Sequence, residues 1–376
     1  MKRTFKVLTI SGIEISVHYT WFIVFGLVTY SLAVSYFPML IKGESPITYW
    51  LMGGVSALLL FISVLLHELS HSLVAKKEKL GVDKIVLFLF GGVSEITEEP
   101  KNAKDEFRMA IAGPLSSFAL AIAFWFLWLV VLKPLGSAIL SSIFWYLAVI
   151  NLMLGVFNLL PGFPLDGGRV LRAYWWNKSK NLTKATLVAT NAGKGLSILM
   201  MVLGGFELLL GYFVGGMWFI FIGLFLRQAA ESGYQRVLIR DILSGMKVKE
   251  LMSSNVVCVS SDLSIYDLVD EFFLKHRFIS YPVCEKGKLL GIVTLNTVKQ
   301  IPRERWKEEK TKVATQGVPQ NFILHPEEDA VEALEKIITS DLGKLPVVKD
   351  GEIVGILSRR DVMNLLTIKT DLGYKK

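Results

Sequence analysis

Charged residues are scarce in this chain, since Asp, Glu, Lys and Arg make up 20% of its 376 residues while hydrophobic residues make up 52%. With a mean hydropathy of +0.48, the composition excludes an ordinary soluble protein and indicates a multi-spanning membrane protein. The scarcity is confined to the apolar blocks of the first 230 residues, and the remainder reads as soluble α/β sequence. The net charge of +8 does not indicate a nucleic-acid partner, because the basic residues lie in loops beside apolar segments.

Cysteine is almost absent from the sequence. The two cysteines, Cys258 and Cys284, lie in the soluble part without a spacing typical of a metal or redox site, so we expect reduced, structural thiols. The N-terminus also lacks the cleavage pattern of a signal peptide, because residues 6–17 alternate apolar and polar side chains around Ser11 and Gly12, as a small hairpin does. We therefore expect nothing to be cleaved from the N-terminus.

Six apolar segments are long enough to cross a bilayer, which takes about 20 residues of helix. Lys and Arg are concentrated in residues 75–108 and 169–194 and at the N-terminus, whereas the loops on the opposite side carry Lys42 and Lys133. By the positive-inside rule, we expect a multi-pass protein of the cell membrane whose N-terminus and C-terminal part lie in the cytoplasm. The segments are at 19–41, 47–75, 109–132, 137–160, 186–211 and 213–228.

One of these segments contains three ionisable side chains, in the run His67-Glu68-Leu69-Ser70-His71. Residues four apart project from the same helix face, so the two imidazoles can occupy two corners of a tetrahedral zinc site with Glu68 beside them. A carboxylate in that position can take a proton from a water molecule that the cation acidifies. The alternative, that the histidines only satisfy carbonyls or meet the interface, is less favoured because ionisable groups are costly inside an apolar helix.

The segment NLLPGFPLDGG, residues 158–168, contains the next ionisable group at membrane depth. Pro161 and Pro164 prevent a continuous helix, and irregular backbone at this depth is tolerated only where protein or a water-filled cavity replaces lipid. We therefore predict that this segment faces the site and that Asp166 is the third metal ligand. The alternative is that Asp166 caps a helix and faces water. Asn158 could donate to a developing oxyanion or hold two helices together, and both options stay open.

Residues 84–96 are apolar and β-prone but too short to span, and Gly91 and Gly92 permit close backbone approach. Hydrolysis of a transmembrane helix requires local unwinding, which leaves backbone groups without hydrogen-bond partners. Our hypothesis is that this strand pairs with the unwound segment of a substrate. A hairpin at the membrane surface that shields the site is an equally strong alternative.

The HELSH helix followed by the NLLPGFPLDGG segment resembles the site-2 protease family of intramembrane zinc metalloproteases. The resemblance covers residues 1–230, includes the IAGP sequence at 111–114, and shows no PDZ-like insert between the two motifs. Ser70 stands where the family often has glycine. The implied activity is hydrolysis of peptide bonds in transmembrane protein substrates, near the cytoplasmic side of the lipid bilayer.

The same resemblance implies roles for individual residues. Glu68 would be the catalytic base, and Asn158 would assist the bound peptide or its oxyanion. The residues that would hold one zinc ion per chain are His67, His71 and Asp166. The expected substrate contacts are Gly91, Gly92 and Pro161.

From residue 247 onward the sequence repeats itself with a period of 64 residues. YPV at 281–283 returns as LPV at 345–347, and GIV at 291–293 returns as GIL at 355–357. Each unit reads strand, turn, strand, helix, and the pattern resembles a tandem pair of cystathionine-β-synthase (CBS) domains over residues 247–368.

The CBS resemblance implies an adenine nucleotide bound between the repeats, contacted by a Ser or Thr and by an Asp three residues later. Ser358 and Asp361 match in the second repeat, whereas the first repeat has Thr294 followed by Thr297, so we expect at most one good site. A helix-capping box explains Ser358 and Asp361 equally well. A CBS pair also suggests a homodimer and a regulatory role.

The predicted fold is a multi-spanning α-helical membrane protein, with about six transmembrane helices and short β-hairpins at the cytoplasmic side, followed by an α/β tandem CBS module. The predicted divisions are a protease domain, a linker and two CBS repeats, the second with the C-terminal tail, at residues 1–230, 231–246, 247–306 and 307–376. Two rival functions stay open. One is a CBS-gated ion channel or transporter that holds its ion at the HELSH and Asp166 side chains, and the other is a pseudoprotease that binds zinc without cleaving.

Overall fold

A computed structural model describes residues 4–89, 91–96, 100–340 and 342–372. The first three residues, which belong to the predicted basic N-terminus, lie outside the described part, as does Phe90 of the predicted strand. The chain divides into two compact units, Met1–Val237 and Leu238–Lys376.

The described residues of the first unit include helices long and apolar enough to cross a membrane, and their number, six, confirms the prediction. Large apolar side chains on them point outward, as lipid-facing positions require; Leu51, Phe126 and Val202 are 66%, 58% and 62% exposed. The helices of this unit are α1 Thr20–Ser31, α2 Phe37–Leu40, α3 Pro46–Lys77, α4 Ala103–Leu127, α5 Ala138–Asn158, α6 Asp166–Ser179, α7 Leu182–Leu209 and α8 Phe213–Leu243, with π-helical turns at Leu32–Tyr36 and Trp128–Leu132.

Side-chain caps determine where the long helices start. The Ser45 hydroxyl accepts from the Thr48 amide at 3.2 Å ahead of Pro46, which begins α3. Asn102 accepts from the Asp105 amide at 3.0 Å, so α4 begins earlier than the hydrophobic pattern predicted.

Two short hairpins accompany the helices, as predicted, and they pair into one four-stranded sheet; the stretch 84–96, interpreted from the sequence as a single strand, contributes to both antiparallel strands of the second hairpin. The strands β1 Thr4–Ile10, β2 Ile13–His18, β3 Val82–Phe88 and β4 Gly91–Ile96 lie in the order β1-β2-β3-β4. β2 runs parallel to β3, and both hairpins are antiparallel. Within the described ranges, β4 pairs with β3 on one side and lies at the edge of the sheet on the other.

The segment between α5 and α6 is irregular backbone packed on protein, as the prolines predicted. The Phe163 amide donates to the Ala189 carbonyl of α7 at 3.0 Å. A Cβ on Gly193 would lie 2.0 Å from the Phe163 carbonyl oxygen, so glycine is needed where α7 meets this segment. The contact holds the start of α6 against α7.

The second unit contains two strand-turn-strand-helix repeats around a mixed sheet of order β5-β6-β7-β10-β9, with β8 on β7. The repeated proline occupies the same register in each hairpin, Pro282 opposite Ile292 and Pro346 opposite Ile356. The strands are β5 Val259–Ser260, β6 Ser280–Glu285, β7 Lys288–Thr294, β8 Thr315–Gln316, β9 Lys344–Lys349 and β10 Glu352–Ser358. The helices are α9 Val248–Leu251, α10 Ile265–Asp267, α11 Leu295–Val298, α12 Thr311–Ala314, α13 Ala330–Thr339 and α14 Arg359–Asp371, with a π-helical segment Leu268–Leu274 after α10.

The predicted linker, residues 231–246, is largely helical. Helix α8 runs through it to Leu243, whose side chain is fully buried in the core of the second repeat together with Val248 and Leu357. The boundary between the compact units falls after Val237. The other domain limits stay predictions.

The expectation of reduced thiols is wrong, because Cys258 and Cys284 form a disulfide. β5 runs parallel to β6, with Ser260 opposite Cys284, and this pairing brings the two cysteine Cα atoms to 5.7 Å. A separation of 26 residues carries no signal of this contact, since strand pairing creates it.

Candidate metal centre

The structure brings together the two histidines of α3 and the carboxylate that begins α6. The Nε2 atoms of His67 and His71 are 3.2 Å apart, and Oδ2 of Asp166 lies 3.1 Å from each. All three residues are buried, and in the described ranges they form the one cluster of His, Cys, Asp or Glu with the spacing of a metal site. Two imidazoles and a carboxylate are a donor set that zinc accepts.

Asp166 takes part in this cluster because the helical backbone is interrupted just before it, between α5 and α6. Leu165 occupies the N-cap position of α6, and Asp166 is the first residue of the helix, 9% exposed. Its carboxylate therefore points to the histidines and not, as the alternative interpretation required, to cytoplasmic water.

The second nitrogen of each imidazole is held by α4. His71 Nδ1 donates to the Met109 carbonyl at 2.7 Å, and His67 Nδ1 lies 2.9 Å from the Ser117 hydroxyl, which can accept. A carbonyl can only accept, so His71 carries a proton on Nδ1, and in the neutral ring this leaves the Nε2 lone pair available to a metal. These contacts orient both rings as metal ligands are usually oriented.

Gly113 of α4 provides the space beside the two rings. A Cβ there would lie 2.2 Å from His71 Nε2 and 2.5 Å from His67 Nε2. Any side chain at this position would occupy the place between the imidazoles and α4. The sequence signalled this residue only through the IAGP resemblance.

Glu68 lies under the edge strand β4. Its Oε2 accepts from the Ser94 hydroxyl at 3.0 Å, and a Cβ on Gly92 would lie 2.4 Å from the Glu68 Cγ. Gly92, a predicted substrate contact, thus lies against the predicted base. Gly91 has a φ of +118°, which favours glycine, and open space around its Cβ position.

Asn158 and Pro161 lie outside this cluster. The Asn158 amide donates to the Leu154 carbonyl of its own helix at 2.9 Å, and Pro161 is exposed at the start of the irregular segment. Their assignments to the oxyanion and to substrate stay predictions.

A buried ion pair that sequence reasoning missed connects α4 to α6. Arg172 Nε donates to Glu106 Oε1 at 2.6 Å, with side chains 9% and 0% exposed, and the guanidinium lies over the Phe163 ring at 5.0 Å from its centroid. In the sequence, Arg172 lies in the basic stretch 169–194 that the positive-inside rule predicts to be a cytoplasmic loop. Glu106, an acid in the first turn of an apolar helix, was the available signal of a buried partner.

The predicted nucleotide residues line a cleft of about 970 Å³ in the second unit. Asp361 Oδ2 accepts from both the Ser358 amide and the Ser358 hydroxyl, at 2.9 and 2.6 Å, so the capping box is formed as well. In the first repeat Thr294 and Thr297 cap α11 in the same way.

Basic side chains are prominent in the lining of this cleft, which suits an anionic ligand. Burial lowers the pKa of Lys344, and the Asp361 carboxylate opposes this shift. The basic lining residues are Arg277, Lys344, Arg359 and Arg360.

Comparisons with known proteins agree with both units. Residues 55–139 and 133–202 match the model of peptidase family M50, and residues 248–302 and 318–368 match the CBS domain model. Rip3 of Mycobacterium tuberculosis is 33% identical over 363 residues, which cover 96% of this chain and 92% of that protein. Zinc metalloprotease MJ0392 of Methanocaldococcus jannaschii is 33% identical over 375 residues, 99% of each chain. A solved site-2 protease from Methanocaldococcus jannaschii is 34% identical and covers 61% of this chain and 94% of its own, with a TM-score of 0.41.

We predict that Arg172→Met destabilises the first unit by about 3–5 kcal/mol, because it removes the arginine that is hydrogen-bonded to the buried Glu106 carboxylate. The matched control is Arg108→Met, since the Arg108–Glu78 pair has an arginine side chain 50% exposed and its loss should cost within about 1 kcal/mol. Equilibrium unfolding in mixed micelles measures both, and the double change Glu106→Gln with Arg172→Met should recover part of the loss. Equal losses for Arg172 and Arg108 would contradict the assignment.

Proposed function

Because the chain belongs to peptidase family M50, the site-2 protease family, and carries a CBS pair, we propose that it is an intramembrane zinc endopeptidase. Its substrates are transmembrane proteins, cut near the cytoplasmic side of the bilayer. The observation that carries the proposal is the convergence of His67, His71 and Asp166 within hydrogen-bond distance in an apolar domain, with Glu68 adjacent.

The residues present fit a zinc ion. Two imidazole nitrogens and one carboxylate oxygen are the donors typical of catalytic zinc sites, which keep a further position for substrate or water. Both rings are held through Nδ1, and Gly113 leaves their Nε2 atoms uncovered. His67, His71 and Asp166 would hold one ion per chain. When bound, zinc acidifies water and polarises the scissile carbonyl.

Glu68 acts as the general base and later as the general acid. Its Oε2 is engaged by Ser94, so Oε1 receives the proton of the attacking water and returns it to the leaving amine. Asn158 would assist the peptide or its oxyanion only if its amide left the Leu154 carbonyl.

The edge strand β4 is the proposed substrate-binding element. Its outer edge is free of a paired strand in the described part of the chain, and Gly92 lies directly over Glu68. A substrate segment that pairs with this edge would find hydrogen-bond partners there for its unwound backbone, and it would pass beside Glu68. Gly91, Gly92 and Pro161 are the proposed contacts.

We further propose that the N-terminus and the second unit are cytoplasmic. The basic residues at the end of α3, Lys76 and Lys77, and Arg108 in α4 support this orientation. The disulfide of the second unit stands against it, because such bonds are uncommon in cytosolic proteins outside hyperthermophiles.

The first test combines chelation with Glu68→Gln in the purified full chain, using a transmembrane peptide as substrate. We expect the chelator to abolish cleavage and Glu68→Gln to lower kcat at least ~100-fold, since general-base catalysis is of that order, while zinc content is unchanged. Glu78→Gln, at the end of the same helix, is the control.

Cleavage that persists in Glu68→Gln would overturn the mechanism. Zinc bound without any cleavage by the unmodified chain would favour the pseudoprotease, and ion flux in vesicles would favour the transporter.

Strand pairing is tested with substrates that carry single N-methyl groups on successive backbone amides around the scissile bond. Alternate amides of a paired strand point to the partner, so we expect cleavage to fall about fivefold at every second position and to change little between them, by loss of one ladder hydrogen bond of about 1 kcal/mol. A uniform response would favour the shielding hairpin. Valine at Gly92 would be less informative, because it would also displace Glu68.

We propose that the CBS pair binds an adenine nucleotide at the Ser358 and Asp361 cleft, forms a homodimer and regulates substrate access. Asp361→Asn should weaken ATP, ADP or AMP binding at least ~10-fold in calorimetry on the full chain, as loss of a hydrogen bond to a charged group predicts. The Asp329 carboxylate caps α13 by accepting from the Val331 amide, so Asp329→Asn makes the same chemical change at a helix cap away from the cleft and is the control for capping alone. Equal affinities for both variants would leave Asp361 as a cap, and light scattering measures the dimer.

A further inference from the structure

Three side chains form a directed hydrogen-bond chain that ends on the predicted base. The Ser72 hydroxyl donates to the Ser94 hydroxyl at 3.0 Å, and Ser94 donates to Glu68 Oε2 at 3.0 Å. A hydroxyl has one proton, so Ser94 can donate to the carboxylate and still accept from Ser72. The direction of both bonds is therefore determined by the carboxylate, which when ionised can only accept.

The chain crosses from helix to strand. Glu68 and Ser72 are four residues apart on α3 and share a face, and Ser72 is fully buried. Ser94 is on β4, two residues after Gly92, so both face the same side of the strand. Gly92 leaves room for the Glu68 side chain, and Ser94 holds its oxygen.

The register of the β3–β4 hairpin determines which residues of helix α3 Ser94 lies against. Leu87 pairs with Gly92 and Ile85 with Ser94, and Ile85 is fully buried in the cluster that contains Leu69 of α3. Strand and helix are thus packed together at the level of the base. A shift of β4 along β3 would remove Ser94 from the carboxylate.

We propose that Ser94, oriented by Ser72, is a positioning residue for Glu68. Strand β4, the proposed substrate-binding element, would then also orient the carboxylate of the base. The inference rests on the proposed function. With Oε2 occupied by Ser94, the carboxylate is rotated so that Oε1 is the oxygen available to the attacking water. No proton passes through the serines.

The kinetic test uses the full chain and the transmembrane peptide substrate. Ser94→Ala should lower kcat about 10- to 100-fold with KM and zinc content unchanged, because the base loses its orientation while the ligands and the strand edge remain. Ser72→Ala should have a smaller effect, of several-fold. Ser94→Thr keeps a hydroxyl and should restore most of kcat.

The matched control is Ser70→Ala. Its hydroxyl donates to the Leu66 carbonyl of the same helix at 2.7 Å and is exposed, so kcat should be unchanged. A kcat for Ser94→Ala within twofold of the unmodified chain would overturn the inference while leaving the protease proposal intact. A Ser94→Thr variant as slow as Ser94→Ala would also overturn it, by showing that shape and not the hydroxyl matters.

A second readout needs neither zinc nor activity. In a Cys258→Ser, Cys284→Ser background, Ser72→Cys with Ser94→Cys should form a disulfide under mild oxidation, since the two side-chain oxygens are 3.0 Å apart. Ser70→Cys with Ser94→Cys should not. Absence of the first cross-link would overturn the placement of Ser94. If the cross-link forms but the unmodified chain does not cleave, the proposed function is overturned, and with it the positioning role of Ser94 in catalysis.

Discussion

The structure of the first unit depends on the burial of one carboxylate between two imidazoles. An isolated ionised Asp166 would be strongly destabilising in an apolar interior, and a proton or cation shared between its Oδ2 and the imidazoles of His67 and His71, each 3.1 Å away, would compensate for the lost water. The same three atoms are the proposed metal donors. The requirement that they meet explains why α5 ends at Asn158 and why the chain runs irregularly to Asp166.

The surrounding residues place these donors by contacts that are themselves long-range. Met109 and Ser117 of α4 hold the rings, Gly113 leaves space beside them, and Glu106 of the same helix binds Arg172 of α6. Helix α4 therefore contacts both the helix with the histidines and the helix with the aspartate. The predicted base Glu68, beside the centre, is covered by β4 through Gly92 and Ser94.

Much of the fold followed from local patterns. The apolar segments predicted the six spanning helices, the turn around Ser11 and Gly12 predicted the first hairpin, and the 64-residue repeat predicted the two similar halves of the second unit. Helix ends were less accurate, because caps such as Asn102 and the continuation of α8 to Leu243 lie outside the hydrophobic pattern. The disulfide was missed since its cysteines meet only through the pairing of β5 with β6.

For the candidate centre, the sequence by itself determined which side chains are chemically able to hold a metal. His67 and His71 share a helix face through the period of the α-helix, and Asp166 stands out as a rare acid among prolines in an apolar region. Only the tertiary structure decided that Asp166 reaches the histidines, that Asn158 turns to its own helix, and that Ser94, Gly113 and the Glu106–Arg172 pair surround the site. Those contacts join residues far apart in the chain, and their distances depend on how helices and strands pack, which no local periodicity specifies.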